Sequence, residues 1–285
     1  GNAFFFFFLF ARTSTPSMIV ILMKILVIAG SPRKEKQSGV HKLVSVVLEN
    51  SGCDWELISL RGKSIAGCIA CLGCVKDNIC KVEDDCRWLR DKIVAADAYV
   101  IGAPNYYSGI NAQTHAFLER WFQFRHQEGD TLWGKLGVAV GVGGSSGKMP
   151  ADEIEKFFLY NFIETVAKVS GQGAASCFSC GFGETCQVGL PRMLYGEGVR
   201  ITPGMIPDVS RQPAVMQAAA DAGRLLGERL GQGHDRVHVT QKNEGGDDGQ
   251  IAGVGLSRSR SAFRWRGHEA CARRCFGAAA DGPSG

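Results

Sequence analysis

The apolar residues of this chain fall into two alternating rhythms. Residues 24–29 (KILVIA) form a short continuous apolar run, the pattern of a strand buried on both faces. Residues 38–50 follow with Val40, Leu43, Val44 and Val47 at helical spacing. The alternation then repeats. Strands are predicted at 55–60, 98–102 (AYVIG) and 136–142 (LGVAVGV), with a fifth near 174–178. Helices are predicted at 84–95, 111–124, 151–169 and 213–230. In the helix over 84–95, Asp84 supplies an N-cap, and Leu89 and Ile93 share one face. In the helix over 111–124, Phe117, Leu118, Trp121 and Phe122 turn inward.

Alternating strands and helices imply right-handed βαβ crossovers and a parallel sheet covered on both faces, an α/β doubly wound fold. The five-stranded order 2-1-3-4-5 suits this length better than a six-stranded dinucleotide fold. In either order a ligand sits beyond the carboxyl ends of the strands. Three loops leave those ends, at 30–39, 103–110 and 143–149.

The flanks differ from this central domain, which is expected over 23–232. Residues 4–10 are six Phe and one Leu, too short a run to span a bilayer, and no Lys or Arg precedes it as a secretory signal requires. Residues 1–22 therefore read as an unstructured extension, with Met18 and Met23 as candidate starts. Residues 233–285 carry Gly-Gly pairs, a Ser-Arg-Ser-Arg-Ser run at 257–261 and no sustained apolar period, the composition of a disordered tail. Cys271 and Cys275 lie in it and receive no role.

Composition narrows the function classes. Hydrophobic residues at 45% and charged residues at 21% of 285 suit a globular protein with a sizeable core. A net charge of +4 gives no basis for a nucleic-acid partner, and no apolar run reaches the ~18 residues of a membrane span. Eleven cysteines are too dilute for a disulfide scaffold. Clustered thiols without a secretory signal point to the cytoplasm.

The three loops describe a ligand. The first, GSPRKEKQSG at 30–39, joins a buried strand to a helix N-terminus, where unpaired N–H groups and the helix dipole favour an anion. Ser31, Ser38 and Gly39 surround that position and Arg33 adds a charged fork, so a monophosphate is the natural guest. Walker A and G-x-G-x-x-G patterns are both absent. The alternative is an ordinary βα turn with solvated Lys and Arg. The second loop holds Pro104, Asn105, Tyr106, Tyr107, Ser108 and Gly109. Its tyrosines offer a flat face to an aromatic ring, and Asn105 a hydrogen bond to the ring edge. The third, with Gly143, Gly144 and Gly147, lets a ligand approach the backbone closely. Together they describe a mononucleotide with a large planar head, which FMN satisfies.

Residues 23–230 resemble the flavodoxin-like NADPH-dependent FMN reductase family. The resemblance is carried by KILVIAGSPR at 24–33, Ser38-Gly39, IGAPNYYSG at 101–109 and GVGGSSG at 141–147. One departure is visible. The family's first loop usually closes with Gly-Asn-Thr or Gly-Ser-Thr, where this chain has Gln37-Ser38-Gly39, leaving Ser38 as the best phosphate donor.

The most specific motif is C-x2-C-x2-C-x5-C, formed by Cys68, Cys71, Cys74 and Cys80 in a loop at 66–82. A 4Fe-4S cube needs four thiolates, and three close cysteines plus one nearby are its usual supply. Structural zinc, which favours two separated C-x2-C knuckles, comes second, a C-x-x-C redox pair third, and unliganded structural thiols last. The motif resembles the iron-sulfur flavoprotein branch of the family, in which such a loop follows the second strand. That resemblance implies one FMN and one 4Fe-4S cluster per chain, a homodimer or homotetramer with the flavin near a subunit interface, and electrons passing between cluster and flavin. The reading is an oxidoreductase that takes electrons from NAD(P)H or a protein donor. Its partner would be a ferredoxin-like carrier or a quinone. A cluster-free FMN or quinone reductase and a non-enzymatic electron carrier are the alternatives. No catalytic side chain is singled out, because the flavin accepts the hydride itself. A second set, Cys177, Cys180 and Cys186, is expected to be buried or to line the flavin edge rather than hold a metal. His41 and His115 are expected to pack or cap.

Overall fold

The computed structural model describes residues 24–126 and 131–232. The extension expected over 1–22 and the tail expected over 233–285 lie outside the described residues. Strand β1 (Lys24–Ala29) is buried from Ile25 onward. It pairs in parallel with β2 (Asp54–Ser59) on one side and β3 (Ala98–Tyr106) on the other. Next to β3 lies β5 (Leu136–Gly143), and β6 (Glu164–Gln172) closes the sheet, both parallel. A two-residue strand, β4 (Gly109–Ile110), folds back antiparallel on β3. Leaving β4 aside, the parallel strands stand in the expected order 2-1-3-4-5; with it, the path is β2-β1-β3-β5-β6.

Both faces of the sheet are covered, as buried parallel strands require. On one face, alternate strand residues Val27, Val100 and Val140 pack with Leu43, Val44 and Val47 of helix α1 (Gly39–Glu49) and Leu226 of α6 (Pro213–Gly231). On the other, Leu26, Ile101 and Ala139 pack with α2 (Asp85–Ala95), α3 (Ala112–Glu119) and α4 (Lys148–Tyr160) through Ile93, Phe117 and Phe158. A short helix, α5 (Leu190–Tyr195), lies in the long connection between β6 and α6.

Four expectations are corrected. The helix expected over 151–169 stops at Tyr160, and residues 164–172 are the fifth parallel strand, which was expected near 174–178. The break lies at Asn161, whose N–H bonds back to the Phe157 and Phe158 carbonyls, and at Phe162, whose φ of 53° leaves the right-handed region. Thr165, Val166 and Val169 then favour the extended chain. The helix expected over 111–124 tightens into a 3-10 segment at Arg120–Arg125. The loop expected over 103–110 is a hairpin, in which Ala103–Tyr106 prolong β3 and Tyr107 and Ser108 turn with φ of 51° and 65°.

Candidate functional site

A cleft of about 360 Å³ opens at the carboxyl ends of β1, β3 and β5. Ser31, Arg33 and Gly39 of the first loop line it, as do Pro104, Asn105 and Tyr106 of the hairpin and Gly143 and Gly144 after β5. The first loop is held open for a guest. Ser31 Oγ accepts from the Arg33 N–H at 3.3 Å, and Arg33 Nη2 crosses the cleft to the Ala174 carbonyl at 3.1 Å. Asn105 Nδ2 donates to the Ser146 carbonyl at 2.8 Å, tying the hairpin to the glycine loop.

The remaining predicted residues stand one step back. Ser38 is buried, caps α1 by accepting from the His41 N–H at 3.1 Å, and does not line the cleft. Gly147 packs behind it, where a β-carbon would overlap the Gly141 carbonyl. Gly109 lies in β4, and Tyr107 and Ser108 form the exposed hairpin tip.

One wall of the cleft was not anticipated. Ile206, Pro207, Asp208 and Val209 form a strap that returns to α1 just before α6. Lys42 Nζ meets Asp208 at 2.7 Å, and Ser210 donates its N–H at 2.9 Å to the same carboxylate. Burial pushes the Asp208 carboxyl up, but the Lys42 ammonium and the Ser210 donors outweigh it and hold it at about 2. The Asp-x-Ser turn pattern was the only local signal for this strap.

A second hollow, of about 540 Å³, lies between the hairpin tip and α3, against Tyr106, Tyr107, Ile110 and His115. His115 bridges two carboxylates, with Nδ1 3.3 Å from Glu119 and Nε2 3.4 Å from Glu153. Glu153 accepts the Ile110 N–H at 2.7 Å, and Glu119 accepts the Cys68 N–H at 3.1 Å. A continuous polar chain therefore joins the hairpin beside the cleft to the start of the cysteine loop.

That loop follows β2. Cys68 and Cys71 are exposed, Cys80 is half-buried and Cys74 is buried. Both neighbours of Cys71, Ala70 and Leu72, adopt left-handed φ of 52° and 55°, as does Asn78 at 54°. Such conformations are costly for residues with side chains and persist only where surrounding structure enforces them. Burial pushes the Cys74 thiol up, and the sulfurs of Cys80, Cys68 and Cys71 push it further, so the other three lie within electrostatic reach of Cys74. Among the described residues, however, no three Cys, His, Asp or Glu side chains converge as a metal site. Four free thiols in one short loop are the donor set a thiolate-bound centre needs, and that chemistry is what fits it.

Arg120 was missed by sequence reasoning. Its guanidinium is wholly buried and donates Nε to Cys80 Sγ at 3.1 Å and Nη1 to Asp84 at 2.6 Å. Nothing in its sequence neighbourhood separates it from a solvated arginine after an amphipathic helix. Cys86 lies in α2 facing the core, where burial pushes its thiol up to about 12. Cys177, Cys180 and Cys186 sit in the connection after β6. Cys180 is exposed and the other two are half-buried; Gly173, Ala174, Ala175 and Ser176 just before them line the cleft, and none of the three thiols does.

The family model for NADPH-dependent FMN reductase matches residues 23–175, more than half of the chain. The chain belongs to that family. Within it, the chain groups with iron-sulfur flavoproteins. It is 33% identical over 149 residues to the iron-sulfur flavoprotein MJ1083 of Methanocaldococcus jannaschii, covering 50% of this chain and 76% of that one. It is 30% identical over 147 residues to an iron-sulfur flavoprotein of Archaeoglobus fulgidus, covering 52% and 75%. Among solved structures, RosB with bound 8-demethyl-8-formylriboflavin-5′-phosphate superposes with a TM-score of 0.52 at 15% identity, over 86% of this chain and 95% of that one, which speaks to fold. This FMN reductase family member is a flavoprotein oxidoreductase with a flavodoxin-like sheet. No helix among its described residues is long and apolar enough to cross a membrane.

Proposed function

We propose that the cleft holds FMN and that the cysteine loop holds a 4Fe-4S cluster, so that the protein passes electrons between NAD(P)H or a protein donor and an acceptor. One observation carries this reading. The cleft and the cysteine loop are neighbours across α3, joined by the Glu153–His115–Glu119 chain that ends on the Cys68 N–H.

In this reading Ser31, Arg33, Gly39 and the α1 N-terminus capped by Ser38 would hold the phosphate. Pro104, Asn105 and Tyr106 flank the ring on one side. Gly143 and Gly144 let it lie against backbone, while Gly147 supports that loop from behind. Tyr107, Ser108 and Gly109 shape the exposed rim, which suits a subunit contact in a homodimer or homotetramer. Bound flavin supplies both one- and two-electron chemistry, and the chain's residues bind and orient it. Cys68, Cys71, Cys74 and Cys80 are the cluster ligands. The functional unit covers 23–232, with the cluster loop at 66–82. No disulfide joins the described cysteines, which suits a reducing compartment such as the cytoplasm. The electron acceptor is a ferredoxin-like carrier or a quinone.

That no three Cys, His, Asp or Glu side chains converge among the described residues favours one second reading, a cluster-free NADPH-dependent FMN or quinone reductase. Anaerobic purification separates the two. The cluster reading expects about four irons per chain, with a broad absorption near ~400 nm and an EPR signal on reduction. In Cys71→Ala the iron should fall away while flavin remains. Stoichiometric flavin with no iron in the wild type would establish the second reading instead.

A further inference from the structure

We propose that Arg120 is the positioning residue of the cysteine loop. Its buried guanidinium clamps the two ends of the loop together, and its Nε–H on the Cys80 sulfur raises the reduction potential of the centre bound there. The clamp concerns the polypeptide alone; the potential rests on the cluster reading above.

Arg120 begins the 3-10 segment that continues α3, and its side chain has no exposed surface. Its donors reach the cysteine loop and the Asp84 carboxylate just after it. Nη1 donates to the Ala66 carbonyl at 3.1 Å, before the first cysteine, and Nη2 to the Val82 carbonyl at 3.2 Å, after the last. Asp84, paired with Nη1, itself accepts the Ala66 N–H at 2.9 Å and caps α2. One turn on, the buried Gln123 accepts the Cys80 N–H at 3.0 Å. The loop is thus closed at its base by one planar fork, which a flexible ammonium could not reproduce.

Charge pairing alone does not explain this arrangement. A guanidinium taken out of water is costly, and an apolar side chain of similar volume would often stabilise as well. Asp84 already neutralises the charge. The Nε–H is nevertheless aimed at sulfur. A metal-bound sulfur is a stronger acceptor than a neutral thiol, so the contact gains most when the loop holds a centre. Four thiolates around iron carry net negative charge. An N–H donor on one sulfur stabilises the more negative, reduced state and so raises the potential.

The test compares the full wild-type chain with Arg120→Lys and Gln123→Ala. In the metal-free protein, hydrogen exchange over 66–84 should speed up at least tenfold in Arg120→Lys, with β1, β3 and β5 unchanged. Unchanged loop exchange overturns the clamp. A variant that loses the whole domain by circular dichroism also overturns it, since the clamp predicts loosening confined to 66–84. In the iron-loaded protein, an EPR-monitored titration should give a midpoint more negative in Arg120→Lys than in both the wild type and Gln123→Ala, which keeps the guanidinium on the sulfur. Equal midpoints in Arg120→Lys and wild type overturn the claim on potential. A wild-type protein that takes up no iron removes that claim together with the cluster reading, and the exchange data still decide the clamp.

Discussion

The Lys42–Asp208 pair fastens the strap that walls the cleft, and Asp208→Asn removes its charge while keeping an acceptor for the Ser210 N–H. The native carboxyl titrates at about 2, against ~3.9 in an unfolded chain. At neutral pH that difference corresponds to ~2.6 kcal/mol before screening. The Asp208 side chain is 35% exposed, so solvent screens the pair. About 1 kcal/mol is the expected loss of stability in Asp208→Asn at pH 7. Because the folded value is depressed, the contribution is present above the unfolded pKa and disappears as pH falls through the folded one. About half of it should be gone near pH ~3. Urea melts of both proteins at neutral pH and at several lower values measure this directly. Flavin affinity, read by fluorescence quenching, should weaken up to about fivefold, the equivalent of ~1 kcal/mol. Equal stability at pH 7, or a gap that stays constant into acid, would refute the reasoning, because either result means the pair does not fasten the strap.

Three further outcomes follow from packing. Gly141→Ala should cost about 3 kcal/mol or more in urea denaturation, because its β-carbon would overlap the Gly147 carbonyl, backbone that cannot swing aside. Phe158→Ala should cost about 3–5 kcal/mol by the same measurement, since Phe158 is fully buried and its ring lies against Gly137. Iodoacetamide at pH 8, followed by peptide mass spectrometry, should modify the exposed Cys180 and spare Cys86, whose thiol is held at about 12.

Much of this molecule was legible along the chain. The β1, β3 and β5 runs are apolar because they are buried on both faces, and their shortness, Val and Ile content and flanking turns mark them as strands. The loops that leave their carboxyl ends were therefore identifiable as the ligand edge. The cysteine motif was legible because thiols at three-residue spacing have few other uses. Between Tyr160 and Gln172 local signals conflicted. Helical spacing runs on past Tyr160, and only the left-handed turn at Phe162 and the pairing of β6 with β5 settle the strand.

Sequence alone marked the buried strands and the edge where their loops gather, because both follow from local apolar pattern, and chain length favoured the strand order found. Tertiary structure alone decided which distant groups meet. The Asp208 strap reaches Lys42 across 166 positions, and Arg120 reaches Cys80 across 40. Contacts of that kind come from how helices pack on a twisted sheet, and no spacing along the chain encodes them.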